Sequence, residues 1–205
     1  MSDREKSTLE SIHDAAKAEF LEKGFESASL RNIVKTAGVT TGAFYGYYSS
    51  KEELFKALVG EVYNHIIAVY KKALTDFEML PIEQQPDQMG KAGCNCMREL
   101  LLYSYGHHDE VYLILQCSDG TPYAFMLDEL VELEVNATHR YYEVLAKLGH
   151  AVPCIDGRLE HILVTGMMNA YFEMIIHDMP IENAKKYAEE LNNFYTAGWK
   201  KIMGQ

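Results

Sequence analysis

Between residues 29 and 51 the sequence gathers hydroxyls and cations at short spacing: Ser29 and Arg31, then Thr40, Thr41, Tyr45 and Tyr47, then Lys51. Hydroxyls hydrogen-bond phosphates and base edges, a guanidinium makes bidentate bonds to guanine, and an ammonium at a helix start suits a phosphate. Gly42, Ala43 and Gly46 lie among them and carry little or no side chain. A large partner's backbone can therefore approach this surface closely. Phe44 and Tyr48 fall on the opposite side of the same segment and are expected to pack inward.

Other chemistry is weakly supported. Cys94-x-Cys96 and His107-His108 invite a metal or thiol-sensing reading, but no second C-x-C or H-x₃-H accompanies them. Sensing through Cys94 and Cys96 stays as an alternative, with no metal site and no cofactor expected. Asp119-Gly120 lacks the other ligands of a calcium loop. Four cysteines, Cys94, Cys96, Cys117 and Cys154, do not make a disulfide framework in 205 residues. No nucleophile–base pair is evident, so an enzyme is not expected. Three ionisable side chains, Glu134, His139 and Glu173, lie in mixed or apolar stretches. Glu173 is flanked by Phe172, Met174 and Ile175, unusual company for a carboxylate; it either meets a cationic ligand, pairs with His177 or faces solvent.

The elements that must position these residues read as helices throughout, about nine in all, with no sustained strand alternation. Ser7-Thr8-Leu9-Glu10 has the form of a capping box. Leu9, Ile12, Ala16 and Phe20 then make one apolar stripe, and Lys23-Gly24 closes the helix. A second helix is expected over 30–36 with Ser29 as its N-cap, and a third over 41–47 with Thr40 as cap. A fourth follows the capping box Ser50–Glu53 and runs to about Leu74. A loop holding Pro81 and Pro86 comes next, then helices at about 87–105, 109–117, 122–148, 156–178 and 182–203. Pro122 suits a first turn capped by Thr121, whereas Pro153 and Pro180 separate helices.

Two short helices joined at Ala37-Gly38-Val39 make a helix-turn-helix: Gly38 takes positive φ, Ala37 leaves room for the crossing, and Val39 fills the space between. Gly24-Phe25, Ser29, Ile33, Ala37-Gly38-Val39-Thr40, Gly42, Phe44-Tyr45, Tyr48, Lys51-Glu52 and Leu54-Phe55 together resemble the DNA-binding signature of the tetracycline-repressor (TetR) family. The resemblance covers the first quarter to third of the chain. It departs at Ala28, where the family commonly has threonine, and in a recognition helix without charge. It implies an all-α protein: an N-terminal three-helix helix-turn-helix DNA-binding domain, then a helical ligand-binding and dimerisation bundle. It further implies a homodimer on a palindromic double-stranded DNA operator, released by a small-molecule effector. The expected division is 1–50 and 51–205, with helix 51–74 connecting the two.

For the second region the residues speak alone. Met97, Leu101 and Tyr105, with Phe125, His139, Met167 and Tyr171, are the expected ligand-binding set, suited to a hydrophobic or aromatic molecule. Leu159, Leu163 and Gly166 in one helix, with Leu191, Phe194, Gly198 and Trp199 in the last, are the expected dimer interface, a four-helix bundle across a two-fold axis. Binding of a protein partner by this half is the other alternative. The net charge of −11 is uneven: residues 1–60 hold 8 Lys/Arg and 9 Asp/Glu, and the remainder 11 and 21. DNA affinity is therefore expected to be modest and salt-sensitive. Neither a membrane span nor a secretory start is read in the sequence, and a cytoplasmic location is expected.

Overall fold

The computed structural model describes residues 3–151 and 155–204, with side chains from residue 7 onward; Pro153 and Cys154 lie outside the described residues. Among these the chain forms nine α-helices and one 3₁₀ turn, with no strand. It divides into two compact units: the segment up to Asn64 with His107–Met126, and His65–Gly106 with Leu127 onward.

The first unit holds α1 (Asp3–Ser27), α2 (Leu30–Thr36), α3 (Thr41–Tyr45), the first half of α4 (Lys51–Glu78), α6 (His108–Gln116) and the 3₁₀ turn Pro122–Phe125. The apolar stripe of α1 is its centre: Ile12, Ala16 and Phe20 are fully buried, as are Ile33, Phe44, Leu54 and Phe55. Phe20, Phe25 and Phe55 meet with ring centroids 5.1–5.9 Å apart. Residues 107–126 return to this unit, although the expected boundary lay at residue 50. The Phe25 amide donates to the Cys117 carbonyl at 2.7 Å, and Lys17 pairs with Glu110.

The second unit holds the rest of α4, α5 (Gln85–Gly106), α7 (Met126–Lys147), α8 (Gly157–Ile176) and α9 (Ile181–Ile202). Ile66, Leu100, Leu130, Leu145, Val164 and Met168 fill its core.

Several boundaries differ from the periodic reading. α1 is already helical at Asp3, so Ser7 caps nothing and its carbonyl accepts from the Ser11 hydroxyl at 2.9 Å. Gly24 does break the helix, at φ 71° and ψ 164°. The Ser50 box is half formed: Ser50 Oγ accepts the Glu53 amide at 3.1 Å, but the Glu53 carboxylate reaches the Ser49 amide and hydroxyl, each at 2.6 Å. α4 continues to Glu78, which shortens the expected loop. The expected helix 122–148 is a 3₁₀ turn capped by Thr121 and then α7.

Gly38 has φ 67°, and a Cβ placed on it would meet no atom within 4 Å. Its requirement is purely conformational. Gly38→Ala should therefore lower unfolding free energy by about 1–2 kcal/mol, the strain of a side chain in the left-handed region. Urea denaturation checks this; an unchanged midpoint would show that the turn tolerates a side chain.

Candidate nucleic-acid interface and effector cavity

Each short helix carries its own cap. Ser29 Oγ accepts the Asn32 amide at 3.4 Å, and Thr40 Oγ1 accepts the Ala43 amide at 3.1 Å. Between them the Val39 amide donates to the Val34 carbonyl at 3.2 Å. Phe44 is fully buried and Tyr48 nearly so, with the Tyr48 hydroxyl 2.5 Å from His13 Nε2. Burying these two rings turns the other side of α3 outward. Thr41, Gly42, Ala43 and Gly46 are exposed, Tyr45 is 54% exposed, and Tyr47 is half-buried. Arg31 is exposed on α2. Ser29, Arg31, Thr40, Thr41, Ala43, Tyr45 and Tyr47 thus share one short stretch of surface-forming chain, Ser29 half-buried at its start.

Lys51 is different. Its ammonium donates to the carbonyls of Phe25, Glu26 and Ala28 at 2.5, 3.2 and 3.1 Å, and it sits 4.4 Å from the centre of the Phe25 ring. All three of its donors are spent on the end of α1 and the α1–α2 link, where a cation is favoured. The expected phosphate contact of Lys51 is therefore corrected: Lys51 holds the frame of the site. Glu19 is a second such residue that sequence reasoning missed. Its Oε1 accepts the Ser29 amide at 2.9 Å and Lys23 Nζ at 3.0 Å, and these bonds hold its carboxyl below the usual carboxylate range. The available signal was spacing, since Glu19 follows Ala16 by three residues and shares its inward side.

The second unit contains a cavity of about 360 Å³ among α4, α5, α7, α8 and α9. Its aromatic wall is Tyr70, Phe77, Tyr141, Tyr171, Tyr195 and Trp199; Met89, Met97, Met167 and Met203 add pliable apolar surface. Glu134 also faces it. Tyr70 Oη donates to Glu134 Oε2 at 2.6 Å. Burial pushes the Glu134 carboxyl up, with the Tyr70 hydrogen bond opposing, and burial beside Glu134 pushes the Tyr70 hydroxyl well up.

Of the expected ligand set, Met97, Met167 and Tyr171 line this cavity. Four others are corrected. Leu101 is packed in the core away from the lining. Tyr105 turns its hydroxyl to the Met179 carbonyl at 2.5 Å, closing the end of α8. Phe125 belongs to the first unit and is 62% exposed. His139 has a 57% exposed side chain, and its Nε2 lies 2.7 Å from the buried Glu160. Glu173 faces solvent, 2.8 Å from His177. The missed wall was partly legible: Glu134 and Tyr141 are seven residues apart on α7, two turns along one side.

On α8 and α9, Leu159, Ile162 and Phe194 are 49%, 63% and 71% exposed, respectively. Gly166 and Gly198 are exposed beside them, with Leu163 and Leu191 half-buried. Trp199 is corrected: it is 9% exposed and lines the cavity instead. Among the described residues, Cys94, Cys96 and Cys117 are free thiols. Burial pushes the Cys96 thiol up to about 12, and Cys94 is two residues along the helix. Among the described residues no three His, Cys, Asp or Glu side chains are placed to hold a metal ion, and no helix is long and apolar enough to cross a membrane.

A capped helix-turn-helix lies in one compact unit and a largely apolar cavity in a second, all-helical one. Residues 12–58 match the family model described as bacterial regulatory proteins, tetR family. Among curated relatives, the HTH-type transcriptional regulator TtgR of Pseudomonas putida is 32% identical over 98 residues, 46% of this chain and 40% of that protein. The uncharacterized HTH-type regulator YvdT of Bacillus subtilis is 40% identical over 65 residues, covering 32% and 34%. The chain thus matches well under half the length of these relatives. The fold is shared over nearly the whole chain. The TetR-family regulator PfmR of Thermus thermophilus superposes with a TM-score of 0.61 at 20% identity, covering 96% of both chains. The Bacillus subtilis regulator FadR, crystallised with stearoyl-CoA, gives 0.58 at 16% identity, covering 92% of this chain and 97% of that one.

Lys51→Met retains the alkyl chain on Phe25 and removes three charge-assisted bonds, so it should destabilise the protein by about 1–3 kcal/mol. Thermal denaturation checks this; a stable variant that only weakens DNA binding would return Lys51 to the phosphate role. Glu19→Gln should also destabilise, in a pH-dependent way. The folded-state pKa of Glu19 is depressed, so its contribution is present above the ordinary carboxylate value and is lost as pH falls through the depressed one. The stability gap to wild type should be full at neutral pH and close in acid; a gap independent of pH would contradict the assigned bonds.

Proposed function

We propose that this protein is a ligand-responsive transcriptional regulator, a cytoplasmic repressor that binds a palindromic operator as a homodimer and is released by a small hydrophobic or aromatic effector. The observation that carries the reading is the cavity of about 360 Å³ in a chain that also presents a capped helix-turn-helix. That volume lies within the usual span for small-molecule sites. α4 carries residues of both units, Phe55 in the first core and Tyr70 and Phe77 in the cavity wall. It is the continuous covalent path by which occupancy biases DNA docking.

The exposed apolar side chains of α8 and α9 support the homodimer: singly exposed apolar residues are ordinary, but a run on two helices with small residues beside it is suited to close helix packing. In such a dimer the two α3 helices meet successive major grooves, roughly 34–36 Å apart. FadR, of the same fold, holds a fatty acyl thioester, so an acyl chain is the second effector class to weigh against an aromatic one. The thiol alternative loses support from the buried, protonated Cys96.

Phe194→Asp should convert a dimer to monomers in light scattering; a wild-type monomer at micromolar concentration would refute the interface. On the duplex selected by the protein from a random pool, Arg31→Ala should cost about 1–3 kcal/mol and relax preference at one base pair. Tyr45→Phe should weaken binding without changing the melting temperature. If both variants bind like wild type, this side of the helix pair does not touch DNA.

A further inference from the structure

We propose that the cavity selects a cationic aromatic ligand, its ammonium group seated at the Glu134 carboxylate and its ring body among Tyr70, Tyr141, Tyr171 and Trp199. The proposal rests on reading the cavity as the effector site. Among the described residues the one hydrogen bond of Glu134 is from Tyr70, at 2.6 Å. A carboxylate removed from water needs a paired charge, or it is driven to the neutral form. Glu134 is half-buried on the cavity wall, and its partial loss of hydration drives it that way.

The two cations at the cavity do not supply the partner. Arg140 is paired to Glu78 at 2.5 Å, and its side chain is 52% exposed. It also lies six residues beyond Glu134 on α7, about 9 Å along the helix axis. Lys147 is further still, about 20 Å along the same axis, and exposed. Glu134 and the lining cations therefore occupy separate parts of the cavity.

The surrounding groups suit a cation rather than an anion or a bare chain. Tyr and Trp rings attract a positive charge over their faces, most strongly where water is excluded. A carboxylate ligand would meet Glu134 as a like charge. A bare hydrocarbon would cover Glu134 without supplying a counter-charge.

Trp199 is the chain's one tryptophan and lines the cavity, so its emission reports occupancy directly. The test titrates the full-length protein with benzyltrimethylammonium, with its neutral isostere neopentylbenzene and with octanoate, following Trp199 emission and melting temperature. The cation should bind about tenfold or more tightly than the isostere, a gap that cation–π and charge pairing in a dry site readily supply. Glu134→Gln should remove that preference and retain the neutral ligand. Should that variant fail to fold, the wild-type comparison of the charged and neutral isosteres decides alone. Equal or tighter binding of neopentylbenzene or octanoate to wild type overturns the cation assignment and leaves a small-molecule site. If none of the three probes alters Trp199 emission or melting temperature, the effector reading of the cavity falls with it.

Discussion

A helix of five residues has no stability of its own, because nucleation costs more than one turn of hydrogen bonds returns. α3 exists only because Phe44 is buried beneath it, Thr40 caps it and Gly38 turns the chain into it. Every exposed hydroxyl along this stretch depends on that arrangement. The same constraint explains where the polar groups beneath the site are spent. Glu19 accepts the Ser29 amide at the start of α2, and Lys51 gathers three carbonyls around the end of α1. Two charges that look available for recognition instead fix the frame, which leaves Arg31 and uncharged groups exposed on this stretch. The first unit is net negative, with 8 Lys/Arg and 10 Asp/Glu up to Asn64 and three more acidic residues over 107–126, so its grip on phosphates is expected to be modest.

The second unit poses the opposite problem. Its helices set a half-buried carboxylate beside a tyrosine hydroxyl in a cavity with an aromatic wall. Such a group weakens an empty protein and strengthens a complex that satisfies it. In the proposed reading, a half-buried carboxylate without a counter-charge is a liability that a ligand of the right charge converts into affinity.

The helix pattern and the turn were legible because they are local. Gly38, the caps at Ser29 and Thr40, and the inward Phe44 follow from spacing and from the conformational limits of single residues. The helix-turn-helix resemblance rested on the same positions. The cavity was less legible because lining is a matter of helix phase between distant segments. Met97, Met167 and Tyr171 reach the cavity, but Leu101 is turned into the core and His139 is drawn to Glu160. Trp199 read as interface because its neighbours Phe194 and Gly198 lie outside, yet one residue beyond Gly198 is 100° around the helix. Lys51 was misassigned for a related reason: sequence shows a cation at a helix start but not the carbonyls brought to it from the end of α1.

If the proposed effector reading holds, cavity occupancy and DNA binding exclude one another. One titration follows both: Trp199 emission for occupancy and anisotropy of a labelled operator duplex for binding, with a compound that fills the cavity. The duplex should be released over the same concentration range in which Trp199 reports filling. A duplex still fully bound when the Trp199 signal is saturated would contradict that reading.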